Sequence, residues 1–139
     1  MLNKKNLSIV LIEDEDVSRL LLRHILTNDG YVIAGEAQDG ASGLLLVKQL
    51  KPDVVCLDIM MPQSSGLDVL KRIKQILPWT VVLMVTGSND RETVMAAAKH
   101  GADGYIIKPF NANKLLRTVE HTYAKSQEMK MIASIPDSL

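Results

Sequence analysis

The sequence predicts an α/β fold, a parallel sheet with helices packed on both of its faces. Three observations predict it. Five short apolar runs alternate strictly with five longer segments of helical periodicity. The central run, Val54-Val55-Cys56-Leu57, is apolar at every position, the pattern of a strand buried on both faces. Nearly half of the 139 residues are apolar while only 4% are aromatic, so a single domain core is built from Leu, Val, Ile, Ala and Met.

The first strand is expected over Leu7–Ile12. A helix over Asp16–Asn28 follows, with Val17, Leu21 and Ile25 on one face and Gly30 beyond its end. Tyr31–Ala37 reads as the second strand and Gly40–Leu50 as the second helix, stopped by Lys51-Pro52. The third strand, Val54–Leu57, leads to a third helix over Gly66–Leu77, where Leu67, Leu70, Ile73 and Leu77 recur at helical spacing before Pro78. Val81–Val85 is the fourth strand. The fourth helix, Asn89–His100, opens on a capping signature of Asn89 with Glu92 and closes at Gly101. Gly104–Ile107 is a short fifth strand, and Asn111–Tyr123 the fifth helix, with Leu115, Leu116, Val119 and Tyr123 facing inward. After Ala124 the stripe breaks: Met129, Met131, Ile132 and Ile135 do not continue it. The expected division is residues 1–125 for the domain and 126–139 for a loosely packed tail or the start of a linker.

Composition narrows the function. Sixteen basic residues balance sixteen acidic ones, so charge gives no case for a nucleic-acid or membrane surface. No apolar stretch approaches the roughly 18 residues of a membrane span, and Met1-Leu2-Asn3-Lys4-Lys5 lacks the core of a signal peptide. The single Cys56 lies inside an apolar run and reads as a small buried hydrophobe. A cytoplasmic setting is the expectation.

In a parallel sheet every strand points its C-terminal end to one rim, where ligands bind. Glu13 and Asp14 follow the first strand, Asp58 ends the third, Thr86 then Gly87 end the fourth, and Lys108 follows the fifth. Three carboxylates, a hydroxyl and an ammonium therefore converge. Carboxylates so placed repel one another, and a hard divalent cation such as Mg²⁺ removes the conflict while keeping positions open for phosphoryl oxygens. Asp58 is the natural nucleophile toward phosphorus, with Lys108 and Thr86 binding the transferred oxygens. Glu15 and Asp16 read equally well as an acidic first helical turn. Met60 and Met61 read as packing residues. His24, His100 and His121 have no partner at metal spacing, and Tyr105 by spacing alone is a core aromatic.

Four motifs in order carry a family resemblance: Val10-Leu11-Ile12-Glu13-Asp14-Glu15; Lys51-Pro52-Asp53-Val54-Val55-Cys56-Leu57-Asp58-Ile59-Met60-Met61-Pro62 through to Gly66; Val82-Leu83-Met84-Val85-Thr86-Gly87; and Gly101-Ala102-Asp103-Gly104-Tyr105-Ile106-Ile107-Lys108-Pro109-Phe110. Over about residues 6 to 124 the chain resembles a response regulator receiver domain of the chemotaxis-regulator kind. The resemblance implies a flavodoxin-like doubly wound sheet with strand order 2-1-3-4-5. It implies Asp58 as phosphoacceptor, and Mg²⁺ held by Glu13, Asp14, Asp58 and the backbone carbonyl of Met60. Thr86 and Lys108 would read the phosphoryl group, Lys108-Pro109 would be cis, and Tyr105 would be a switch aromatic rather than plain core. It also implies that the surface of the fourth helix, fifth strand and fifth helix changes on phosphorylation. The implied partners are a sensor histidine kinase or histidine phosphotransfer protein, a downstream effector or output domain, and a second copy in a phosphorylation-dependent dimer, with neither nucleic acid nor membrane bound directly. Such a chain is not an enzyme beyond its own phosphorylation and dephosphorylation.

Gly87 stands where the family more often has Ala. Met60 and Ser88 occupy positions that in the family tune acyl-phosphate hydrolysis, and neither can act as a base toward water, so a long phosphorylated lifetime is expected. Two other classes fit less well. An aspartyl-phosphate phosphatase wants a second Asp where Met60 stands, and a nucleotide-binding domain wants a Gly-rich loop after the first strand, where this chain has Glu13-Asp14-Glu15-Asp16. Nothing after Ala124 is expected to form an output domain, so the chain reads as a single-domain regulator or a receiver piece of a longer one, the apolar tail favouring the second.

Overall fold

A computed structural model describes residues 3–137. Strands β1 (Ser8–Ile12), β2 (Val32–Ala37), β3 (Val54–Leu57), β4 (Val81–Thr86) and β5 (Gly104–Ile107) alternate with helices α1 (Asp16–Asn28), α2 (Gly40–Leu50), α3 (Gly66–Ile76), α4 (Arg91–Lys99) and α5 (Ala112–Ala133). The strands form one parallel sheet in the order β2-β1-β3-β4-β5, the expected 2-1-3-4-5. The chain steps outward from β1 to β2, then returns past β1 to β3. That reversal opens a crevice at the C-terminal ends of β1 and β3.

Strand alternation divides the core in two. Ile9, Leu11, Val54, Cys56 and Leu83 face Leu22, Ile25 and Leu26 of α1 and Leu115 and Val119 of α5. Val10, Ile12, Val55, Leu57, Val82 and Met84 face Val47 of α2, Val69, Leu70 and Ile73 of α3, and Ala97 of α4. All four residues of β3 are buried, as its apolar run requires. Cys56 is among them, and burial pushes its thiol up to about 12. Among the described residues no helix is long and apolar enough to cross a membrane.

Several local expectations are corrected. In α1 the buried face is Leu22, Ile25 and Leu26, while Val17 and Leu21 are exposed. Apolar residues crowd this helix on two overlapping stripes, and the sheet selects the one nearer its C-terminus. The α4 cap is Asp90, whose side chain accepts from the Thr93 N–H, rather than Asn89. In α3 the buried set includes Val69, and Leu77 lies beyond the helix. A two-stranded hairpin, Met60–Met61 with Ser64–Ser65, follows β3 and had no signal in a run of two-residue strands. Helix α5 continues to Ala133, because no Gly or Pro interrupts it. Its last turns leave the sheet, so Met129, Met131 and Ile132 are exposed. The expected boundary between 125 and 126 falls inside this helix; residues 1–2 and 138–139 of the two expected segments lie outside the described residues.

Candidate functional site

Backbone bonding carries the parallel ladder just past the strand ends, and this places the site. The Glu13 N–H donates to Ala37 O (3.0 Å), the Asp58 N–H to Ile12 O (3.1 Å) and the Lys108 N–H to Thr86 O (2.9 Å). Asp58 therefore sits beside the end of β1, and Lys108 beside the end of β4. The Lys108-Pro109 peptide is cis, as expected. Gly66 closes the loop behind Asp58: a Cβ there would lie 2.1 Å from the Asp58 carbonyl oxygen, so only glycine admits this approach.

Three of the expected carboxylates come together. Glu13, Asp14 and Asp58 each offer an oxygen, all within 4.8 Å of one another. Glu13 is 1% exposed and Asp58 4%. Burial, seconded by the nearby Asp58 charge, pushes Glu13 up to about 7, against the opposing pull of Lys108 and the Glu15 N–H. The Lys108 ammonium lies 2.6 Å from Glu13 Oε1, 2.8 Å from Glu15 Oε1 and 3.1 Å from Asp58 Oδ2. Burial works against its charge, but these three partners outweigh it and hold the amine above its ordinary range. The other Asp58 oxygen, Oδ1, accepts from the Met60 N–H at 3.1 Å.

The donor set suits a hard cation. Asp14 Oδ1 is buried without a hydrogen-bond partner among the described residues. An unpaired buried carboxylate oxygen beside two other carboxylates is costly unless a cation satisfies it. One ammonium cannot balance Glu13, Asp14, Glu15 and Asp58 together.

Thr86 is fully buried at the end of β4, and its hydroxyl accepts a long bond (3.4 Å) from the Ser88 N–H. Among the described residues this hydroxyl makes no hydrogen bond to the carboxylates or to the Lys108 ammonium. Tyr105, opposite Met84 in the sheet, is half-buried and donates its hydroxyl to the Ser88 carbonyl at 2.6 Å. Thr86 and Tyr105 thus meet the same residue, Ser88, from two sides. The Met60 side chain is 66% exposed, against its reading as packing. Sequence reasoning missed the reach of Glu15 to Lys108, which are 93 positions apart, and the bond from the Gly40 N–H to Ser64 Oγ (3.2 Å) that ties the hairpin to α2. No local pattern announces either.

Comparison with known proteins places the chain in a family. The response regulator receiver domain family matches residues 9–120. The chemotaxis protein CheY of Thermotoga maritima is 33% identical over 111 residues, covering 80% of this chain and 92% of the relative. Among solved structures, the CheX-CheY-BeF3-Mg+2 complex from Borrelia burgdorferi superposes with a TM-score of 0.82 at 26% identity, over 84% of this chain and 89% of that one. NtrX from Brucella abortus does so with a TM-score of 0.85 at 30% identity, over 93% of this chain and 29% of the longer one.

Proposed function

The chain belongs to the response regulator receiver domain family of two-component systems, and on that premise we propose that Asp58 accepts a phosphoryl group from a phosphohistidine in a Mg²⁺-dependent transfer. The observation that carries the reading is the cluster itself: three carboxylates within 4.8 Å, with an ammonium 3.1 Å from one oxygen of Asp58. In the transfer an Asp58 oxygen attacks phosphorus, a P–O bond forms, the P–N bond breaks and its electron pair returns to the donor imidazole. Glu13, Asp14, Asp58 and the Met60 carbonyl would hold the cation. When bound, Mg²⁺ supplies charge neutralisation for the carboxylates and the phosphoryl oxygens. Lys108 and the Thr86 hydroxyl bind the remaining oxygens, positioned by strand ends rather than by mobile loops. The Mg²⁺ and BeF3 named with the Borrelia protein support this assignment.

The acyl phosphate adds about −1.5 to −2 charges by analogy with other phosphorylated side chains. Thr86 moves toward the new oxygens and gives up its bond with Ser88. Tyr105, already bonded to Ser88, follows that loop, and the face formed by α4, β5 and α5 is repopulated. That face meets the effector or output domain, or a second phosphorylated copy; the donor is a sensor kinase or phosphotransfer protein. The chain is not a turnover enzyme. Met60 and Ser88 offer no base to activate water, so the acyl phosphate is long-lived, and a half-life of seconds would contradict this.

Incubation with Mg²⁺ and a small acyl-phosphate donor, followed by intact mass, tests the assignment. The wild type gains the mass of one phosphoryl group; Asp58→Ala and the chelated wild type do not. Equal labelling of Asp58→Ala would sink it.

A further inference from the structure

Glu15 is the carboxylate at this rim that the phosphotransfer reading leaves unused. It stands at the N-cap position of α1, yet its side chain makes no capping bond. It reaches across the site to Lys108 instead, and its 2.8 Å contact is shorter than the 3.1 Å contact between Lys108 and Asp58. An ammonium has three N–H donors. Here two are given to Glu15 and Asp58, and the ammonium also lies 2.6 Å from Glu13 Oε1. An incoming phosphoryl oxygen must compete with these contacts for the ammonium. A bound cation would satisfy Glu13, and Asp58 would become the acyl phosphate itself. Glu15 has neither outlet. It is 61% exposed, so water receives its carboxylate readily once the contact breaks.

We propose that Glu15 is a positioning residue that restrains phosphorylation: it holds the Lys108 ammonium toward the mouth of the site and competes with the incoming phosphoryl group for it. The inference rests on Asp58 as phosphoacceptor. Its neighbour Asp16 supplies the control. Asp16 carries the same charge one residue away, is exposed, and pairs with Arg19 at 2.6 Å rather than with Lys108.

The test measures phosphoryl incorporation from acetyl phosphate with Mg²⁺ by intact mass, for the wild type, Glu15→Gln and Asp16→Asn. In each reaction the donor's P–O bond breaks, acetate leaves and the P–O bond to Asp58 forms. Glu15→Gln is expected to react roughly two- to fivefold faster, the size of one exposed ion pair, and Asp16→Asn at the wild-type rate. In parallel, the ¹⁵N resonance of the Lys108 ammonium is expected to move in Glu15→Gln and stay in place in Asp16→Asn. An unchanged or slower Glu15→Gln, an equal acceleration by Asp16→Asn, or an unmoved Lys108 resonance overturns the proposal. A wild type that takes up no phosphoryl group overturns the Asp58 assignment first and this inference with it.

Discussion

The two rims of the sheet both carry half-buried charge, and they treat it in opposite ways. At the N-terminal rim Asp53, Asp103 and Lys74 are consumed by structure. Asp53 Oδ2 accepts from the Ser8 N–H at 2.9 Å, and Asp103 Oδ2 accepts from the Val82 N–H at 2.8 Å and from Lys74 Nζ at 2.7 Å. Lys74 also donates to Thr80 O at 2.7 Å, and the Thr80 hydroxyl to Pro52 O at 2.9 Å. At the C-terminal rim three carboxylates crowd one ammonium, and the Oδ1 of a fourth, Asp14, has no hydrogen-bond partner among the described residues. The charges named at the first rim are paired within the fold. The second is incomplete, and what it lacks is positive charge.

The largest expected effect comes from breaking the C-terminal rim by sterics alone. Gly66→Ala drives a Cβ into the Asp58 carbonyl, and urea unfolding should show a loss of about 3 kcal/mol, together with loss of phosphorylation. Next, Asp103→Ala should cost roughly 2 kcal/mol in the same assay with or without Mg²⁺, because it strands the Val82 N–H and takes the counter-charge from Lys74. Asp14→Asn should have the opposite sign. Removing one crowded charge should stabilise the metal-free protein by about 1 kcal/mol, and excess Mg²⁺ should reverse the ranking, since only the wild type gains binding energy. If both variants destabilise the metal-free protein alike, the contrast between the rims is false.

A further expected effect is a pH dependence. Glu13 is raised from an ordinary value of 4.5 to about 7. The folded state therefore holds this proton more tightly than the unfolded chain. That contribution is fully present below pH 4.5 and is lost as pH rises through 7. Metal-free stability measured from pH 5 to 8 should fall more steeply in the wild type than in Glu13→Gln. Saturating Mg²⁺, which favours the charged carboxylate, should flatten the difference.

Much of this contrast was legible in the sequence, because strand ends are. The apolar runs before Glu13, Asp58, Thr86 and Lys108 announce their own termini, and a parallel sheet sends those termini to one rim. The buried face of α1 was not legible, since Val17, Leu21, Leu22, Ile25 and Leu26 satisfy two helical stripes and only the sheet chooses between them. The hairpin after β3 was too short to leave a period. The length of α5 was hidden because its solvent-facing half has no stripe, only the absence of a breaker before Pro136. Glu15 was ambiguous because an acid near a helix start is favourable in any case. Its partner is reached only through the fold.

The central claim is that the unsatisfied rim exists to place a phosphoryl group on Asp58. Borohydride reduces an acyl phosphate of Asp to homoserine, so reduction after phosphorylation, digestion and peptide mass mapping locates the modified residue directly. The account predicts homoserine at position 58 alone, dependent on Mg²⁺. Homoserine at Asp14 or another acidic residue, or none in protein that has gained phosphoryl mass, would contradict it.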